Sequence, residues 1–67
     1  MAAPEVERAA LASLFWARRR DGAAISAIAA GLDDAARYAV AALLAGGTLG
    51  SPPDEQLLAR MLDLAAS

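Results

Sequence analysis

The side chains able to do chemistry are few: Arg18, Arg19 and Arg20 beside Trp16, the adjacent acids Asp33 with Asp34 and Asp54 with Glu55, and Tyr38. The arginine run, joined by Arg8, offers guanidinium forks that match phosphate oxygens and an indole that stacks on a base. It also complements the negative end of a helix dipole, with the indole resting on arginine stems. General acid–base work needs two carboxylates on one face in different environments, and a hard cation needs several converging oxygens. Adjacent helical residues diverge by about 100°, so both acid pairs read as helix caps instead of a reaction centre.

Histidine and cysteine are absent from the 67 residues. Ser/His/Asp and Cys/His catalysis, imidazole or thiolate metal sites and disulfides are therefore excluded. Gly46, Gly47 and Gly50 have no following lysine and no preceding strand pattern, so they make a helix stop and a turn, not a phosphate loop. The string Gly31-Leu32-Asp33-Asp34 resembles the carrier-protein motif in which an aspartate precedes the serine that takes a phosphopantetheine arm. Asp34 stands where that serine belongs, so no prosthetic group is expected. With no nucleophile beside an activating base, the expectation is a protein that is not an enzyme and needs neither cofactor nor metal.

The elements that position these groups follow from composition and period. Twenty alanines and ten leucines make the chain helix-rich, and no stretch alternates with period two. The spacing predicts four helices, over about 4–20, 23–31, 34–45 and 52–66, in one all-α, compact, bundle-like domain whose second helix is very short. Pro4, Glu5 and Glu7 open the first helix, and Val6, Ala10, Leu11, Leu14 and Phe15 form its buried stripe. Trp16 projects from the other side, either as an exposed anchor or packed under helix 4. Asp21 caps the second helix, where Ile25, Ile28 and Leu32 recur and Gly31 supplies a left-handed stop. Asp33 or Asp34 caps the third, with Asp33 pairing to Arg37. Ser51 and Asp54 suggest a capping box for the fourth, with Pro52 at its first position. Leu57, Leu58, Met61, Leu64 and Ala65 line its packing side, and Leu62 lies at the boundary.

Between Ala35 and Ala45 the only polar side chains are Arg37 and the phenol of Tyr38. Val40, Leu43 and Leu44 make one face of helix 3, while Tyr38, Ala41, Ala42 and Ala45 make a second. A helix apolar on every side is normally covered on every side, and a 67-residue chain has little interior with which to do it. The expected function is non-enzymatic protein association, by a second copy or another protein, through helices 3 and 4. Trp16, Arg19, Arg20, Tyr38, Ala41, Ala42, Ala45 and Leu62 are the expected interface residues, as in an adaptor, assembly, docking or inhibitor module.

The alternative is a small helix-turn-helix-like DNA-binding regulator using Arg8, Arg18, Arg19 and Arg20. It is disfavoured by the net charge of −2 and by a candidate recognition helix that offers acids and alanines to base edges. Glu5 and Glu7 replace the basic start of a secretory leader, and the longest uncharged run, residues 38–53, is broken by glycines and prolines. The expected setting is cytoplasmic, without a membrane span. Arginine used six times without one lysine suggests bacterial or phage coding.

Overall fold

Helix α1 (Pro4–Arg18) forms the axis of the molecule, and α2 (Gly22–Ala30), α3 (Asp34–Ala45) and α4 (Asp54–Ala66) each pack against it. The computed structural model describes residues 3–47 and 49–66, and among them there are four helices and no strand. The all-α, four-helix expectation is met.

Two apolar clusters lie on opposite parts of α1. Val6, Ala9 and Ala10 meet Val40 of α3, with Ile28, Leu32, Ala36, Ala39 and Leu43 packed around them. Leu11 and Phe15 meet Leu57 of α4, with Leu14, Trp16, Met61 and Leu64 around them. Leu49, in the α3–α4 loop, touches both clusters and joins them. Ala9, Ala10 and Ser13 are buried on α1 because small side chains allow neighbouring backbones to come close. The Ser13 hydroxyl donates to the Ala9 carbonyl at 2.8 Å, so its polarity is satisfied within the helix.

Helix 3 is not covered on every side. Ala36, Ala39, Val40 and Leu43 face α1, whereas Tyr38, Ala41, Ala42 and Ala45 stand in solvent. The element enclosed by the other three is α1. An exposed alanine leaves little apolar area in water, so α3 tolerates an open side that a leucine-rich helix would not. Leu44, expected inward with Val40 and Leu43, sits at the edge and is exposed. Nor do α3 and α4 form one packed pair: each makes its main contacts with α1.

The ends of the elements differ from the sequence reading in instructive ways. Helix α1 stops at Arg18 instead of Arg20, because Arg20 turns left-handed at φ 55°. The Arg20 amide donates to the Ala17 carbonyl and the Asp21 amide to the Trp16 carbonyl. This is a Schellman closure with arginine where glycine is usual. Asp21 then accepts from the Ala24 amide at 3.0 Å and starts α2. Gly31 closes α2 at φ −83°, so the expected left-handed stop is not used there. Asp33 caps the Ala36 amide at 2.8 Å, leaving Asp34, not Asp33, to pair with Arg37 at 3.1 Å. Gly47, at φ +65°, makes the left-handed turn after α3. Thr48, where the expected loop begins, lies outside the described residues.

Helix α4 begins at Asp54, two residues after the expected start. The Ser51 hydroxyl accepts from Arg18 instead of capping the helix, so the expected capping box is not formed. The inward line is Leu57, Met61 and Leu64; Leu58 and Ala65 are turned to solvent, contrary to the packing side read from the sequence. Apolar residues occupy so wide an arc of α4 that period alone does not choose among them.

Candidate functional site

Tyr38, Ala41, Ala42 and Ala45 lie close to 180° from Ala36, Val40 and Leu43 on the α3 wheel, at 100° per residue. They therefore form the side of the helix farthest from α1, and all four are exposed. Tyr38 is 79% exposed, the most open large hydrophobic residue among the described residues. Asp34, four residues before Tyr38 and so on the same side of the helix, carries a fully exposed carboxylate at the start of this face and pairs with Arg37 at 3.1 Å.

Next to the patch, α1, α2 and α3 enclose an open hollow of about 190 Å³. Ile25, Ile28, Leu32 and Val40 form its apolar wall, and Ala41 and Leu44 of α3 stand at its mouth. Arg37 borders it, but its guanidinium is already occupied: Nε donates to the Ala29 carbonyl at 2.8 Å, and Nη1 donates to Asp34. The Ala29 carbonyl, in the last turn of α2, also accepts from the Leu32 amide at 3.1 Å, so the guanidinium is its second donor and ties α2 to the start of α3. The i, i+3, i+7 spacing of Ile25, Ile28 and Leu32 was visible in sequence as a packing stripe. That it leaves a hollow depends on how α2 and α3 lean on α1, for which the sequence carries no local signal.

The arginine run is divided among different tasks. Arg18 Nη1 donates to the Pro52 carbonyl at 2.6 Å and to Asp54 Oδ1 at 2.9 Å. Arg19 Nη1 donates to Asp54 Oδ2 at 2.8 Å, and its guanidinium lies 3.7 Å from the centre of the Phe15 ring. Hydrogen bonds from Arg18, then Arg19, hold the Asp54 carboxyl below its ordinary value of 3.8. The end of α1 is thus clasped to the start of α4, which is a structural use of Arg19, expected at the protein interface, and of Arg18, expected on the alternative DNA-binding surface. Arg60 reaches back from α4 to Glu7 at 3.1 Å, a second tie between the same helices, and this partner raises the Arg60 pKa. Arg8 and Arg20 make no ion pair among the described residues.

Trp16 is half-buried, in edge-to-face contact with Phe15 at 5.1 Å between ring centres, and packs against the cluster that contains Leu57. Of the two alternatives read from the sequence, its position lies nearer the packed one, half-buried against this cluster. Leu62, in contrast, is 71% exposed and forms with Leu58 and Ala65 a small apolar stripe on α4. The expected interface residues are therefore not brought into one surface. Tyr38, Ala41, Ala42 and Ala45 share a face of α3, Leu62 belongs to a different helix, and Trp16 and Arg19 belong to the α1–α4 contact.

A wider groove of about 460 Å³ runs between α1 and α2, with Glu5 and Arg8 at its rim and Met61 at its edge. Among the described residues no three carboxylates gather to hold a metal ion, and no described helix is long and apolar enough to cross a membrane. Compared with known proteins, the chain matches no family model, no curated protein and no solved structure.

Proposed function

We propose that this chain acts by protein association and not by catalysis, and that the outer face of α3 is the surface through which it associates with a second copy of itself. One observation carries the reading: Tyr38, Ala41, Ala42 and Ala45 make an exposed face of small residues and one ring opposite the packed side of the same helix. Small side chains let two helix backbones approach closely, and the acid at the start of this face, Asp34, is paired with Arg37 of the same helix, which limits repulsion between copies. A twofold interface needs that self-compatibility, because the same patch is used twice. The DNA-binding alternative is weakened by the engagement of Arg18 and Arg19 with Asp54, which leaves it Arg8 and Arg20 as the cations of that set without an ion pair among the described residues.

Sedimentation over a concentration series tests the reading. The expected result is reversible self-association of the wild-type chain that Ala42→Glu abolishes while helicity is retained. A wild-type chain that stays monomeric at every concentration would overturn it. Duplex DNA retained at about 50 mM salt and released steeply as salt rises would favour the regulator instead.

A further inference from the structure

Apolar packing and charge divide the molecule unevenly. The cluster of Val6, Ala9, Ala10 and Val40, with Ile28, Ala36 and Leu43 against it, draws on α1, α2 and α3 and holds those three helices together. The cluster of Leu11, Phe15 and Leu57 joins α1 to α4 alone, with Leu49 of the preceding loop at its border. Among the described residues of α4 only Leu57 is buried. Charge follows the same division. Every ion pair between two helices, among the described residues, ties α1 or its end to α4: Arg18 and Arg19 to Asp54, and Glu7 to Arg60. The remaining pair, Asp34 with Arg37, lies within α3. We propose that α4 is a strap that lifts off α1 as a unit while α1, α2 and α3 stay packed, and that ionic strength sets how often it lifts. Lifting bares Leu11, Phe15 and Trp16 as one apolar stripe. The proposal is independent of the association reading above, which concerns the outer face of α3.

The chain between the two parts permits this motion. Leu49 packs against both clusters and so anchors the loop to the three-helix body. Gly50 follows at φ +69°, with open space where a Cβ would stand. Glycine turns freely in that region of backbone space, so rotation there moves α4 without disturbing Leu49. Pro52 moves with the strap, because its carbonyl and Asp54 accept from the same Arg18 nitrogen and are released together. Cooperative opening of one such unit, while the rest stays folded, is the ordinary way in which small domains open below the global transition.

Salt acts on one part and not on the other. The charged partners between α1 and α4 keep 27% to 50% of their side-chain surface exposed, so dissolved ions reach them. An exposed pair of this kind shifts an equilibrium by roughly 1.5- to 5-fold. Two of the three pairs share Asp54 and are not additive, so the set is expected to supply about tenfold in all. The Debye length falls from roughly 30 Å at about 10 mM salt to roughly 3 Å at about 1 M, which removes most of that attraction. The body is held by the uncharged contacts of Val6, Ala10, Ile28 and Val40, which screening leaves in place.

Amide hydrogen exchange, read residue by residue by nuclear magnetic resonance, tests the proposal on the wild-type chain. Residues 58–62 of α4 are compared with residues 9–13 of α1 and 40–44 of α3, in about 10 mM and about 1 M sodium chloride. The α4 amides are expected to open more often than the other two sets in both salts, and the ratio of opening constants to grow about tenfold from low to high salt. The variant carrying both Asp54→Asn and Arg60→Gln is expected to begin at the high ratio and to change less than twofold with salt. If the α4 amides share the protection of α1 and α3 in both salts, the molecule opens as one unit and the strap is overturned. A wild-type ratio that does not move with salt overturns the ionic control, as does a double variant that stays as salt-sensitive as the wild type. The wild-type series needs no substitution, so it decides the matter even if the variant does not fold.

Discussion

Asp54 receives Arg18 at 2.9 Å and Arg19 at 2.8 Å, and both bonds favour the ionised carboxylate, so its pKa is lowered in the folded chain. The sign of the consequence is fixed by linkage. A depressed folded pKa contributes stability that is present above the ordinary value of 3.8 and is lost as pH falls through the lower folded value. Asp54→Asn is therefore expected to lower the melting temperature at pH 7 and to flatten the acid side of the stability profile below about pH 4. An unchanged acid limb would show that the clasp does not contribute. Leu57 is fully buried and Leu58 is 44% exposed, so the two adjacent leucines should respond differently. Leu57→Ala should cost about 2 to 5 kcal/mol, and Leu58→Ala less than about 1 kcal/mol in the monomer; denaturant titration of both variants measures the contrast. Arg20 occupies a left-handed position that disfavours any side chain, so Arg20→Gly is expected to raise stability by up to about 1 kcal/mol. A loss on the same titration would contradict that account.

At the scale of elements, the helices were legible in sequence because their signals are local. Asp21 and Asp33 cap where read, and Asp34–Ala45 matches the expected third helix residue for residue. What failed was non-local. The Schellman closure at Arg20 was hidden because its left-handed position is usually taken by glycine, not arginine. Ser51 and Pro52 look like a helix start until Arg18, 33 residues earlier in the chain, takes the Ser51 hydroxyl. Leu58 was misassigned because apolar residues span so wide an arc of α4 that period does not choose among them, and the burial of α3 was overestimated for another reason. A pattern of apolar letters does not distinguish alanine, whose exposure is inexpensive, from leucine, whose exposure is not. Among the candidate surface residues, the α3 set was legible as one face, whereas the fate of Trp16 and Arg19 depended on where α4 docks. Helix α2 contains no buried residue and is nine residues long, so its amides are expected to exchange with solvent faster than those of α1. Equal protection of the two helices would contradict the view that α1 is the axis on which the others depend.

For the whole molecule, the radius of gyration of 11.0 Å is close to the roughly 11 Å of a compact 67-residue chain, so the fold closes around α1 without a second copy. A domain of this size buries only about 60% of the surface its unfolded chain exposes, however, and its stability is correspondingly small. Association of folded copies adds stability by mass action. The melting temperature is accordingly expected to rise with protein concentration in the wild type and not in Ala42→Glu, a comparison that scanning calorimetry makes directly.

The most direct measurement is a concentration series of amide spectra by nuclear magnetic resonance, because it locates the contact as well as detecting it. The account predicts progressive shifts concentrated at Tyr38, Ala41, Ala42 and Ala45, with α4 and the start of α1 unchanged. Spectra that do not move with concentration, or shifts centred on Leu58 and Leu62, would contradict it.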